Sequence, residues 1–132
     1  RAPCAAAGLL SPPRMAPYNA TKAAVVALSE TLRGELIKDG ISVSVLCPTF
    51  FPTQIGNNAR GPDEGMRKLV DKAMKKSQFT ADDVADVSLA GLEAGELYIV
   101  PMKDGRWFWR LKRLAPEKFA ALVAKKFEKM PG

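Results

Sequence analysis

Histidine is absent from this 132-residue sequence. Its absence excludes histidine-ligated metal sites and nucleophilic triads that use an imidazole as base. Only two cysteines occur, Cys4 and Cys47. They are too few for a disulfide scaffold, lack metal-ligand spacing and read as inert thiols, so no metal is expected. No apolar run approaches the length of a membrane-crossing helix, and no signal-peptide pattern is present. The expected setting is a reducing, cytoplasmic one. Repeats and low-complexity stretches are also missing. The first residue is Arg1 rather than Met, and it opens an irregular segment, so the expected start of the protein lies upstream.

Charge is present but unevenly placed. The net charge is +6, and residues 103–132 hold nine Lys/Arg against three Asp/Glu, which accounts for all of it. The body up to residue 102 is therefore neutral and the tail is basic. A neutral body argues against nucleic-acid binding and for a local patch that meets something anionic. The length suits one domain, and the apolar fraction of 47% is that of an ordinary globular chain.

Residues 1–16, with three prolines and no sustained period, read as a loop. Pro17 suits the first turn of a helix, because its missing N–H has no partner to lose there. The helix is expected over 17–39, with Ala24, Leu28, Leu32 and Leu36 as its apolar stripe, Val25 beside it and Gly40 ending it. Residues 41–47 alternate, with Ile41, Val43, Val45 and Cys47 on one face, and predict a buried strand closed by Pro48. A helix follows from Pro62 to about Lys76, acidic at its start and basic at its end. Thr80 reads as the N-cap of the next helix, with Asp83 at the capping-box position and Val84, Val87, Leu89 and Leu92 as its apolar positions. Residues 96–100 predict a short strand. Residues 104–114 read as a turn leading into mixed apolar and basic residues, and Pro116 opens a last helix to about Lys129. Strands separated by helices imply parallel pairing, and two strands alone make a poor sheet. The chain reads as one end of a larger doubly wound sheet.

The stretch "YNATKAAV" sets Tyr18 and Lys22 four residues apart, hence on one face of the helix. A phenol with its ordinary pKa near ~10 shuttles protons poorly at neutral pH. Lowering it by about three units takes roughly 4 kcal/mol of preference for the phenolate. An ammonium at about 4–6 Å in a partly dry cleft supplies energy of that order, ~4 kcal/mol at 4 Å with an effective dielectric near 20. Such a pair can move a proton to or from an alcohol or carbonyl oxygen. A Tyr and a Lys at this spacing are also common as solvated surface residues. The small neighbours Asn19, Ala20, Thr21, Ala23 and Ala24 favour the chemical reading, since they leave a low helix face for a flat ligand.

With these residues in view, the sequence resembles the short-chain dehydrogenase/reductases. "YNATKAAV" is similar to that family's Tyr-x-x-x-Lys helix, "VSVLCPTFFPT" to its strand followed by Pro-Gly-x-x-x-Thr, and "ELYIVP" to its last strand. The match covers nearly the whole chain but only the C-terminal half of the family's fold. It implies an α/β fold, the C-terminal part of a doubly wound Rossmann-type parallel sheet. Residues 1–132 would form the C-terminal portion of a single NAD(P)-binding domain, with 103–132 as a basic extension. It also implies hydride transfer between NAD or NADP and a small-molecule alcohol or ketone, and a homo-oligomer. Tyr18 would be the general acid/base and Lys22 would bond the nicotinamide ribose. Pro48, Thr49 and Thr53 would line the cofactor's nicotinamide and pyrophosphate side. Three departures stand out: Thr49 replaces the family's usual glycine, Ala5 occupies the usual serine position, and the glycine-rich phosphate loop and ribose reader are missing. The isolated chain is therefore expected to be an inactive fragment.

Phe50, Phe51 and Met15, with Leu9 and Leu10, could line an apolar substrate pocket, though ordinary core accounts for them as well. The stretch 106–113 reads as a peripheral membrane anchor, a subunit contact or an intramolecular contact. A different class of function also fits: a non-catalytic interaction module that pairs through helix 17–39.

Overall fold

A computed structural model of the protein describes residues 2–3, 6–52 and 64–128. The elements run β1 (Ala2–Pro3), α1 (Ala7–Leu10), α2 (Ala16–Leu36), β2 (Val45–Leu46), α3 (Glu64–Lys76), α4 (Ala81–Glu93), β3 (Tyr98–Ile99), α5 (Lys103–Leu114) and α6 (Pro116–Glu128). The three strands form one parallel sheet in the order β1-β2-β3, with Ala2 opposite Val45 and Val45 opposite Tyr98. This is the α/β, doubly wound parallel architecture expected. Thr53, Ala5, Cys4 and the expected helix start at Pro62 lie outside the described residues.

Both faces of the sheet are covered because both sets of alternate strand residues are apolar. Val45, Cys47 and Val100 pack with Leu9 of α1 and Val26 of α2 on one side. Leu46, Ile99 and Met102 pack with Val84 of α4 on the other. Each large apolar side chain so buried contributes about 1.5–3 kcal/mol. Serines 44, 29 and 88 are buried among them with their hydroxyls satisfied, Ser44 donating to the Glu96 carbonyl at 2.6 Å and Ser29 to that of Val25 at 2.8 Å.

Several expectations need correction. The segment 1–16 is not all loop: Ala2–Pro3 adds a strand, and 7–10 form a turn of helix. Pro3 has no N–H to give, and β1 stands at the edge of the described sheet, where a proline is tolerated. The second strand is shorter than 41–47. Residues 44–47 are buried consecutively while Ile41 is exposed, as expected of a strand covered on both faces. On α2 the buried positions are Asn19, Val26 and Ser29, whereas Leu28 is 59% exposed. The leucine stripe was misplaced because small Ser29 and the half-buried Arg33 occupy the inner face. The Arg33 guanidinium donates to the carbonyls of Val43 (3.2 Å) and Gly95 (3.0 Å), tying α2 to the segments that lead into β2 and β3. On α4, Ser88 and Gly91 are buried instead of Val87 and Leu89. A Cβ at Gly91 would lie 2.8 Å from Ile99 Cγ1, so the helix sits directly on β3. Residues 103–114 are a helix, not a turn.

The capping box of α4 is formed as expected: the Asp83 N–H donates to Thr80 Oγ1, and the Thr80 N–H donates to the Asp83 carboxylate. These bonds, the backbone one first, hold the Asp83 carboxyl below its usual 3.8. A depressed carboxyl stabilises the fold fully above the unfolded value, and the gain is lost as pH falls below 3.8 toward the folded one. In wild type, amide protection at the start of α4 is therefore expected to drop on acidification through that range. In Asp83→Asn the drop should vanish, as hydrogen exchange by mass spectrometry would read; an unchanged acid response would overturn the assignment.

Candidate active site

The crossover from β1 through α2 to the parallel β2 sets the N-terminus of α2 at the carboxyl end of the sheet. Segments leaving the three strands meet there. The Ala6 N–H donates to the Pro48 carbonyl at 2.9 Å, and Thr49 Cγ2 lies against the backbone of Gly105. Tyr18 belongs to the first turn of α2, so it stands at this end.

Lys22 follows one turn later, its Nζ 5.6 Å from the centroid of the Tyr18 ring. The ammonium thus lies over the aromatic face, a cation–π contact as well as a field on the phenol. Tyr18 is 41% exposed, so that field is screened and weaker than in a closed cleft. The Thr21 hydroxyl donates to the Tyr18 carbonyl at 2.8 Å, stiffening the first turn. The small residues do not share one low face. Asn19 is buried and Ala23 half-buried, while Ala20, Thr21 and Ala24 are exposed.

Asn19, read in sequence only as a small neighbour, and Lys112, not singled out there, hold the loop in front of this turn. Asn19 Nδ2 donates to the Pro12 carbonyl at 2.7 Å, while its buried Oδ1 has no protein partner among the described residues. Lys112 Nζ, from α5, donates to the Leu9 carbonyl (2.8 Å) and to Ser11 Oγ (3.2 Å). Burial lowers the Lys112 pKa. Between these ties, Ser11 and Arg14 hold positive φ values of 50° and 67°, unfavourable for residues with a Cβ. The signal for Asn19 was its place beside the tyrosine. For Lys112, 101 residues away from Ser11, sequence offered none.

Pro48 and Thr49 are half-buried just beyond β2. Thr49 has no positive φ, so this loop does not require the backbone freedom of glycine here. Met15 is half-buried and Phe50 is exposed. Phe51 packs with the Leu46–Val84–Ile99–Met102 cluster, whereas Leu9 and Leu10 pack on the opposite side of the sheet. The five apolar residues therefore do not line one pocket. A groove of 460 Å³ runs along α3, lined by Lys68, Asp71, Lys72, Lys75 and Lys76, and includes neither Tyr18 nor Lys22. Among the described residues no group of His, Cys, Asp and Glu could hold a metal, and no helix is long and apolar enough to cross a membrane.

The residues present fit one end of a dinucleotide. The Lys22 ammonium and Tyr18 hydroxyl are donors of the kind a ribose and a reacting oxygen need. No glycine-rich strand-to-helix turn, the usual cradle of a diphosphate, occurs among the described residues.

Comparisons with known proteins agree with this fold. A family model described as short chain dehydrogenase matches residues 4–64. A dehydrogenase/reductase SDR family protein 7-like of Anopheles gambiae is 25% identical over 126 residues, 93% of this chain and 39% of that protein. An inactive 2-(S)-hydroxypropyl-CoM dehydrogenase 2 of Xanthobacter autotrophicus is 43% identical over 58 residues, 43% of this chain and 25% of that protein. Among solved structures, a short chain dehydrogenase/reductase from Burkholderia phymatum in complex with NAD superposes with TM-score 0.75 at 32% identity, over 87% of this chain and 46% of that one. A short-chain dehydrogenase from Sphingobium yanoikuyae in complex with NADPH shares the fold, with TM-score 0.60 at 24% identity over 98% of this chain and 44% of that one. The chain thus spans less than half the length of these relatives, and across that span it is similar to the short-chain dehydrogenase/reductase family.

Proposed function

We propose that the chain supplies the proton-transfer half of an NAD(P)-dependent oxidoreductase that moves hydride between the nicotinamide and an alcohol or ketone, an apolar one. The observation that carries this reading is the Tyr18–Lys22 pair at the carboxyl end of the sheet, with the ammonium 5.6 Å from the ring centroid. Tyr18 would give its proton to the substrate oxygen during reduction and take it back during oxidation. Lys22 would bond the ribose and favour the phenolate. Pro48, Thr49 and Thr53 would border the nicotinamide and pyrophosphate. The cofactor, when bound, supplies or accepts the hydride. Relatives crystallised with NAD and with NADPH support a nicotinamide cofactor of either kind.

On this reading residues 1–132 are the C-terminal portion of one cofactor-binding domain, with 103–132 as its basic extension. The setting would be cytoplasmic, the assembly a homo-oligomer, and 106–113 a membrane or subunit contact. The chain by itself would be catalytically silent. Thr53 and Lys22 offer a few hydrogen bonds of about 0.5–3 kcal/mol each. Association alone costs at least ~4 kcal/mol. A second reading, a non-catalytic module pairing through helix 17–39, is favoured by the exposure of Leu28 on that helix.

Calorimetric titration of the 132-residue chain with NADH and NADPH, beside gel filtration, tests both readings. No saturable cofactor binding is expected. Clear binding would mean that the chain makes a phosphate site of its own. A dimer without cofactor binding would support the module, and a monomer would count against it.

A further inference from the structure

We propose that the outward face of α5 docks this protein on an anionic phospholipid surface. The inference deepens the membrane contact proposed above for 106–113 and is independent of the catalytic reading, for it rests on a different part of the chain.

The inner face of α5 is fully engaged. Gly105 is buried against Thr49 and Val100, Trp109 stacks on Tyr98 with ring centroids 4.8 Å apart, and Lys112 holds the Leu9 carbonyl. Tyr98 in turn donates its hydroxyl to the Glu30 carboxylate of α2. On its flank Phe108 meets Phe119 of α6 at 6.4 Å. The helix therefore cannot roll to bury what lies opposite.

Opposite lie Lys103, Arg106, Trp107, Arg110 and Leu114, all exposed. Their spacing places them in one stripe along the helix axis. Trp107 is 56% exposed and Leu114 85%. The acid of this helix, Asp104, is turned to its own terminus, accepting the Gly105 N–H at 2.7 Å. The stripe is thus a row of cations carrying an indole at mid-helix and a leucine at its end.

An indole beside guanidinium groups suits the headgroup level of a bilayer. There the ring meets the acyl boundary and the cations meet phosphates. A second copy of the same stripe would bring like charges face to face. Nucleic acid would satisfy the cations but leave Leu114 without a partner. The lipid surface alone answers both the charge and the apolar groups.

Flotation of the full 132-residue chain with vesicles of phosphatidylglycerol and phosphatidylcholine in equal parts tests the proposal. Binding is expected to the mixed vesicles and not to pure phosphatidylcholine, falling with added salt. Tryptophan emission should shift to the blue on binding. Trp107→Phe should abolish the shift, since Trp109 is already packed on Tyr98. Lys103→Gln/Arg110→Gln, both exposed and remote from the core, should lower the partition coefficient by about 25-fold, near fivefold for each charge. Equal binding to neutral vesicles would overturn the proposal, as would no binding to acidic ones. A blue shift that survives in Trp107→Phe would overturn it as well. So would preferential binding to an RNA oligonucleotide with no shift on vesicles.

Discussion

Tyr18→Phe is expected to lower oxidoreductase turnover by about 10²–10⁴-fold, the usual worth of a positioned proton donor. The measurement needs an enzyme that joins this chain to a cofactor-binding half, with its NAD(P)H affinity followed in parallel. The substitution isolates the hydroxyl. Lys22 contacts the ring face at 5.6 Å from its centroid, a contact that phenylalanine keeps. The first turn is also held by Thr21 on the residue-18 carbonyl, which does not depend on the side chain. Cofactor affinity should therefore stay within a few-fold. Turnover surviving within that same margin would remove Tyr18 from the chemistry. Loss of cofactor affinity together with turnover would instead mean that the ring itself is a binding surface.

The parts of this protein that were legible in its sequence are those governed by local chemistry. Thr80 and Asp83 announced the start of α4, and Gly40, with φ of 73°, the turn that ends α2. The Tyr18–Lys22 spacing announced its own proximity, since four residues on a helix leave little else for the pair to do. What misled was the apolar period. Leu28 and Leu89 are leucines at helical spacing, yet 59% and 54% exposed, while Ser29 and Ser88 are buried. A helix that lies close on a sheet needs small residues at the contact, and Gly91 beneath Ile99 shows how close α4 comes. A buried serine that bonds the carbonyl one turn back carries its own partner, so burial costs it little. Periodicity counts apolar residues and cannot see this.

The candidate site divides along the same line. The residues of its chemistry are neighbours in sequence, and the residues that position it are not. Lys112 reaches Leu9 and Ser11 from the far end of the chain, and Tyr98, Glu30, Trp109 and Arg113 join three separate helices and strands in one cluster. The basic 103–132 segment, read in sequence as an extension, supplies α5 as an inner wall of the loop before α2. Burial, with the Glu30 carboxylate second, raises the Tyr98 pKa above its usual 10.0. That part of the stability is complete below pH 10.0 and is lost as pH rises through the folded value.

Gly105→Ala is expected to destabilise the protein by about 1–3 kcal/mol, the usual cost of overpacking a filled interior. Its new Cβ would lie 2.7 Å from Thr49 Cγ2 and 3.3 Å from Val100 Cγ1, and both the glycine and its surroundings are buried or half-buried. The effect runs against helix propensity, which by itself would favour alanine over glycine by about 1 kcal/mol. Sterics must therefore dominate, and the partner at fault is a single methyl. Thr49→Ser removes that methyl and keeps the hydroxyl. Beside it, Gly105→Ala should become neutral or stabilising, because the propensity gain remains when the clash is gone. The coupling between the two substitutions should fall within about 0.5–3 kcal/mol. Denaturant midpoints of the four proteins in the cycle measure it. Thr49 holds the position where the resembled family carries glycine, and on this account Gly105 is the compensation that lets a side chain stand there. Additive effects would refute the compensation and leave Gly105 small for the sake of Val100 alone.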